Sequence, residues 1–552
     1  MFLTPFYARL KICYLKLSQA AKATFFVLLH YVFEKLQHST HWKYRDRLTQ
    51  KPPLLKTAFL TNQYIRGEMK EAENEHTCWT ICGECQGRGK KSRRLRKKVR
   101  LAFKSALEKF EKTGEGIEPV RPKGHLYSCF DCGGCGLIRS DSNPIPDTEN
   151  FPHVAIVGGG IGGVALAVAC LHRGIPFTLY ERDSGFDMRS QGYGLTLQQA
   201  SKAIEGLGLF SLTEGVISTR HVVHTTDGKI VGEWGRRKWL ESDVKTSPKR
   251  TNVHIARQSL RSALLAQLGG LDAVQWGHQL VNFKVREEGR VDLSFQVNGE
   301  IKRSTADLVV GADGIFSAVR NLLMGEDKTP LRYLGCIVIL GICPLADIKG
   351  LDHSLLDSAT VFQTANGNER IYMMPYASDS IMWQLSFPMS EKEAKKLSER
   401  GTQALKEEAC RRTQWHDPIP QILAATNSNL VSGYPVYDRE LLTSEMLERG
   451  GPITLIGDAA HPMSPFKGQG ANQALLDSLS LARGITKGCR PLSNWKEAGV
   501  RKSVLTEFET EMLERSAIKV IDSAEAAQFL HTDIALHEGD EPRGRILKRK
   551  EE

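Results

Sequence analysis

Gly158, Gly160 and Gly163 stand in the pattern G-x-G-x-x-G, and Glu181 follows eighteen residues after the third glycine. Those types at that spacing suit a dinucleotide. The first glycine allows a tight turn, the second lets backbone approach a pyrophosphate, and the third lets a helix pack close to a strand. The helix start adds free amides and partial positive charge for the phosphates. Glu181 can take both ribose hydroxyls, which speaks for FAD or NAD and against a 2′-phosphate. A second stretch, Thr454–Ala482, runs from an apolar strand into Gly457-Asp458, then through Pro462, Pro465, Gly468 and Gly470 into a helical pattern. A third group is thiol chemistry. Cys82-x2-Cys85 and Cys129-x2-Cys132 are two C-x-x-C pairs with trailing glycines, and each pair can take two corners of a zinc tetrahedron. Cys132-x2-Cys135 is another register for the second pair, and Cys78 makes the cluster six.

Elements must hold these residues in place. Val154–Val157 reads as a short, fully apolar strand, Ala165–His172 as helix, and Pro176–Tyr180 as a second strand ending at Glu181. Leu308–Val310 is a strand entering Gly311-Ala312-Asp313-Gly314, with Ser317 and Arg320 on a helical turn. Leu260, Leu264 and Leu268 recur every four residues, so a helix opened by Arg257 is expected there. Residues of about 330–390 read as sheet, with a hairpin turning at Ala377–Ser380. On its second strand Ile381, Trp383, Leu385 and Phe387 share one face, and Met382, Gln384 and Ser386 the other. The fold class is therefore α/β: a Rossmann-like dinucleotide domain interleaved with a sheet-containing substrate domain, preceded by a basic cysteine-rich extension.

The three motifs, in this order, resemble the aromatic-hydroxylase family of FAD-dependent monooxygenases, with the p-hydroxybenzoate-hydroxylase fold, over about residues 152–485. The resemblance implies that Asp458 holds a ribityl hydroxyl and that Gly468, Gly470 and Ala471 aim amides at the flavin's pyrimidine edge. It implies that Arg257 contacts the ribityl-phosphate region and that Asp313 and Gly314 lie by the pyrophosphate and ribose. Arg320 reads equally as a ligand or as an internal salt-bridge partner. The family roofs its active site with a sheet, so Tyr372, Met374, Tyr376 and Gln384 are substrate candidates. His461 is a candidate base, although the Asp-Ala-Ala-His-Pro pattern favours a structural or flavin-adjacent place. The implied reaction takes hydride from NAD(P)H and O2 onto the flavin, and a flavin peroxide hydroxylates or epoxidises a small aromatic or otherwise electron-rich substrate. No catalytic triad is needed, since the cofactor carries the chemistry. Two other readings stay open: a reductase or oxidase on the same fold, and a zinc- and charge-mediated binding protein with an inactive flavin domain.

Outside that core, residues 1–150 hold 27 Lys and Arg against 15 Asp and Glu, so the net charge of +11 for the 552-residue chain is concentrated there. A Pro-rich stretch, Ser140–Phe151, marks the boundary. Residues 1–77 read as an extension, amphipathic or targeting, and 78–140 as the cysteine-rich region. "CGECQGRG" resembles the knuckle of the DnaJ-type zinc domain, although the long insert between the pairs departs from it, and a redox pair or unpaired thiols are the other readings of these cysteines. Between the cysteine pairs, residues 88–104 hold ten Lys or Arg and no acid, a run that reads either as a solvated charged linker or as a contact for an acidic partner. Residues 486–552 read as C-terminal helices and a basic tail. No 18-residue apolar run argues for a spanning helix, and the scattered cysteines suit a reducing compartment, cytoplasmic or mitochondrial.

Overall fold

The computed structural model describes residues 77–122, 124–189, 193–235, 252–491, 493–542 and 544. Nearly all of the expected 1–77 extension and the basic tail past residue 544 lie outside the described residues. The centre is a five-stranded parallel sheet in the order Val274–Gln275, Phe177–Tyr180, Val154–Val157, Leu308–Gly311, Ile453–Leu455. Three of these strands are buried at every residue, as parallel strands covered on both faces must be. The helix Ile161–Leu171 buries nine of its eleven residues. It packs against the helices Arg257–Gln267 and Gly470–Gly488. Strands 154, 308 and 453 are neighbours although some 150 residues apart in the chain. Gly158, Asp313 and Asp458 each follow one of them, so the three motifs meet beyond the carboxyl ends of adjacent strands, where open α/β sheets bind ligands.

A seven-stranded mixed sheet lies beyond. Its order is Ile230–Trp234, Arg220–Thr225, Thr360–Ala365, Arg370–Ala377, Ser380–Pro388, Leu331–Pro344, Val431–Arg439. The hairpin turns between Ala377 and Ser380, as expected. Ile381, Trp383, Leu385 and Phe387 are buried in one core with residues of the helices Glu391–Glu399, Gly401–Arg412 and Ile419–Ala425. The opposite face stays free to line a cavity. The sheet is wider than the 330–390 stretch suggested. Arg220–Thr225 joins it by parallel pairing to Thr360–Ala365, and a pairing that distant leaves no local pattern. The helix Thr506–Phe529, entered through a π turn at Arg501–Leu505, packs on the strand Leu331–Pro344 and on the helix Gly470–Gly488.

The cysteine-rich segment forms two small antiparallel ladders, Cys78–Ile81 with Leu137–Ser140 and Lys90–Ser92 with Leu126–Ser128. The helix Lys97–Thr113, which carries four of the ten Lys and Arg of the basic run, buries no residue. No helix among the described residues is long and apolar enough to cross a membrane.

Candidate active site

The first section is a narrow cavity of about 140 Å³ over the glycine loop. Gly158 adopts φ 111°, and a Cβ there would stand 2.5 Å from the Ala312 carbonyl oxygen. A Cβ on Gly163 would fall 1.9 Å from the Gly158 carbonyl oxygen. Both positions therefore exclude every residue but glycine. Gly160 precedes the helix Ile161–Leu171, whose first amides have no intrahelical acceptor. Glu181 is buried and lines this cavity. Its Oε2 accepts from the Gly159 amide at 2.7 Å and its Oε1 from the Asp183 amide at 3.0 Å. Arg261, which sequence reasoning missed, donates from Nε to the Gly159 carbonyl at 2.7 Å, with its guanidinium near the rings of Phe186 and Trp276. Arg257 and Gly314 line the same cavity. Asp313 lines it too, but its carboxylate caps the helix Ala318–Met324, accepting from Ser317 Oγ, the Ala318 amide at 2.7 Å and the Val319 amide at 3.2 Å. Burial raises its carboxyl above the ordinary aspartate value, against the pull of those donors.

The second section is a cavity of about 510 Å³ that begins at the loop after Ile453–Leu455. Asp458 faces it, and no side chain or amide among the described residues bonds its carboxylate. The Asp458 side chain is exposed to the cavity, yet the protein packed around the cleft desolvates its carboxyl and raises it, while His461 and Arg257 pull it down. Gly468, at φ 59°, uses its own amide to close a turn on the Pro465 carbonyl at 3.0 Å. Of the predicted flavin-facing amides, those of Gly470 and Ala471 are left, at the start of the helix Gly470–Gly488. Asn472, also missed, fixes this loop to the strand Gly194–Leu197. Its Oδ1 accepts from the Gln198 and Ala200 amides, and its Nδ2 donates to the Thr196 and Gly468 carbonyls.

Behind the loop sits a buried ion cluster. Asp477 accepts from the Gly457 amide at 2.9 Å, from His461 Nε2 at 2.7 Å and from Arg515 at 2.8 Å. His461 is thus turned onto Asp477 and does not line the cavity. Arg320 takes neither role considered for it. It is 1% exposed and donates to Thr329 Oγ1 and to the Ala459 and Ala460 carbonyls, so the second motif clamps the third.

The far wall of the large cavity is the sheet face carrying Arg370, Tyr372, Met374, Met382 and Gln384, with Tyr434 beside it. Tyr376 lies outside this lining and packs in an apolar cluster with Met374, Met382 and Tyr193. Arg370 is 5% exposed. Its Nε donates to Gln363 Oε1 at 2.9 Å and its guanidinium lies 5.0 Å from the Tyr372 ring centre. No carboxylate pairs with it among the described residues, and burial lowers it to about 10. Arg370 was legible in principle: it stands two before Tyr372 on one strand, so the period of 2 places both on one face.

A glycine cradle that any Cβ would fill, an unpartnered carboxylate at Asp458 and free amides at Gly470 and Ala471 fit an extended flavin dinucleotide bridging both cavities. Comparison with known proteins agrees. The family model described as FAD binding domain matches residues 152–490. A monooxygenase of Aspergillus candidus, cfoF, is 27% identical over 401 residues, covering 69% of this chain and 91% of its own. Aurachin C monooxygenase/isomerase of Stigmatella aurantiaca is 28% identical over 332 residues, covering 60% and 79%. Klebsiella pneumoniae HpxO, solved with FAD and uric acid, shares the fold at a TM-score of 0.56 with 19% identity, over 73% of this chain and 94% of that one. The glycine cradle, the Asp458 loop and the roofing sheet are thus parts of one flavin cleft, and the chain belongs to the FAD binding domain family as an FAD-dependent oxidoreductase of the monooxygenase type.

Proposed function

We propose that the protein uses NAD(P)H and O2 to oxygenate a small aromatic compound that carries an acidic oxygen, a carboxylate or an ionisable ring hydroxyl. The observation that carries this reading is Arg370: a buried, acid-free guanidinium in the wall of a cavity whose opposite end is the flavin loop. A buried cation without a counter-charge is costly, and an anionic ligand offsets that cost. Tyr372, Tyr434, Met374 and Met382 supply flat, apolar contact for a ring. If the acidic group is a ring hydroxyl, the cation favours its deprotonated form, which enriches the ring where oxygen enters.

In this reading Glu181 and the first turn of Ile161–Leu171 would hold the adenosine and pyrophosphate end of FAD, and Asp458 a hydroxyl of its ribityl chain. Gly470 and Ala471 would donate to the ring system, where their helix start stabilises negative charge. Bound FAD supplies hydride acceptance and oxygen activation. The chain itself excludes water beneath the sheet and holds the substrate ring in place. Tyr376 and His461 carry no assigned step, and Gln384 is an orienting group for a polar substituent.

The test is oxygen incorporation from labelled O2 by the FAD-loaded protein with NADH or NADPH, across hydroxybenzoates and their neutral analogues. Labelled hydroxylated product from acidic members is expected. Hydrogen peroxide matching all NAD(P)H consumed, with every compound, would instead establish an oxidase or reductase. Efficient turnover of neutral analogues alone would remove the role of Arg370.

A further inference from the structure

The flavin cleft leaves the cysteine-rich segment unexplained. Cys82 and Cys129 place their sulfurs 3.9 Å apart, and Cys85 and Cys132 place theirs 3.7 Å apart. All four sulfurs lie within 4.8 Å of one another. A tetrahedron with Zn–S of about 2.3 Å has edges of about 3.8 Å, whereas a disulfide needs about 2.05 Å. The two knuckles repeat each other. Cys85 Sγ accepts from the Gly89 amide and Cys132 Sγ from the Gly136 amide, both at 3.2 Å. The Cys82 amide donates to the Gly136 carbonyl and the Cys129 amide to the Gly89 carbonyl, both at 2.9 Å. A Cβ on Gly89 would stand 2.1 Å from the Gly134 carbonyl oxygen, so the knuckles interlock only as glycine. Cys135 is outside the set, since its sulfur lies against the Cys132 and Leu137 carbonyls.

This module is seated on the flavin domain at two arginines. Arg483 donates from Nε to the Gly87 carbonyl at 3.0 Å, and Arg173 Nη2 reaches the same oxygen at 3.4 Å. Arg173 is 5% exposed and its Nε is buried without a partner. Neither arginine has an acidic partner among the described residues. Two cations side by side and partly desolvated are unfavourable alone. Four thiolates around Zn²⁺ carry a formal charge of about −2, which matches them. Arg173 follows the helix Ile161–Leu171, and Arg483 lies within Gly470–Gly488. The starts of those same helices line the two cavities.

We propose that Cys82, Cys85, Cys129 and Cys132 hold one Zn²⁺, that Arg173 and Arg483 balance its charge, and that the centre braces the rear ends of the two flavin-facing helices. Metal occupancy and flavin retention are then coupled across the domain. The inference is independent of the substrate reading.

Elemental analysis of the full-length protein, purified without chelator, should find one zinc per chain, and Cys85→Ser/Cys132→Ser should lose it. No metal, or iron in its place, overturns the assignment. Because that double variant can fail to fold, two measurements keep the wild-type cysteines. Arg483→Gln should weaken zinc retention by about 10- to 100-fold, the range for groups that support metal ligands, read as transfer to a chromogenic chelator. Unchanged transfer overturns the charge balance. Stripping zinc from the FAD-loaded wild type should speed the release of FAD, followed by its fluorescence. Zinc loss without faster FAD release overturns the bracing.

Discussion

Replacing Asp477 by Asn tests the support behind the Asp458 loop. The carboxylate is fully buried and accepts from the Gly457 amide, His461 Nε2 and Arg515. An amide is nearly the same size but offers one acceptor oxygen instead of two. Whichever way it sits, its NH2 meets a donor, either Arg515 or the Gly457 amide. Removing one partner of a buried ion pair costs about 3–5 kcal/mol, a large part of a total that is typically about 5–15 kcal/mol. Urea unfolding, followed by tryptophan fluorescence and by FAD release, reads that loss at pH 7. The pH dependence has a definite sign. Burial opposes ionisation of Asp477, yet His461 and Arg515 hold its folded-state carboxyl below the ordinary value. A depressed carboxyl stabilises the fold fully above its unfolded value of about 3.9 and ceases to do so as pH falls through the folded value. The gap between wild type and Asp477→Asn is therefore constant near neutrality and narrows below about pH 4. A loss smaller than about 1 kcal/mol, the scale of an exposed pair, or a gap that widens in acid, would refute the reasoning.

Asp458→Ala should weaken FAD binding by about 10- to 100-fold, the worth of a hydrogen bond to a charged group; an unchanged dissociation constant in a fluorescence titration would remove Asp458 from the flavin site. Gly163→Val puts carbon atoms onto the Gly158 carbonyl, whose oxygen a Cβ already approaches to 1.9 Å, and should yield protein without flavin absorbance at any practical FAD concentration. Arg370→Met should raise KM for an acidic substrate by about 10- to 100-fold while altering a neutral analogue little; equal effects on both would mean a general packing defect. Arg320→Met leaves the Ala459 and Ala460 carbonyls without their donor and should cost about 1–3 kcal/mol in thermal or urea unfolding.

Local chemistry was enough to read the dinucleotide half of this protein. A strand, three glycines at fixed spacing and a terminal acid lie within about thirty residues, and each has a steric or electrostatic job that its neighbours can satisfy. The two faces of Ser380–Pro388 were legible for the same reason, because a strand's period of 2 is a local property. The two C-x-x-C pairs suggested a metal site, but only the folded knuckles separate Cys132 from Cys135, since both registers share one spacing.

What tertiary structure decided is everything that depends on distant partners. Arg320 reads as a ligand or a salt-bridge residue in sequence, and is a clamp only because Ala459 and Ala460 follow the neighbouring strand of the sheet. His461 turns onto Asp477, sixteen residues on in the helix Gly470–Gly488, and so stands outside the lining of the large cavity. Asp313 kept its place in the cleft but gave its oxygens to a helix start. Arg370 is unremarkable in sequence, and its meaning comes from an absence of acids that only a packed interior can define. Arg173 and Arg483 sit 310 residues apart in the chain and share one carbonyl of the cysteine module. Side-chain type and spacing determine which chemistry a segment can support. Burial and long-range contact determine which charges remain uncompensated, and those are the ones left for ligands.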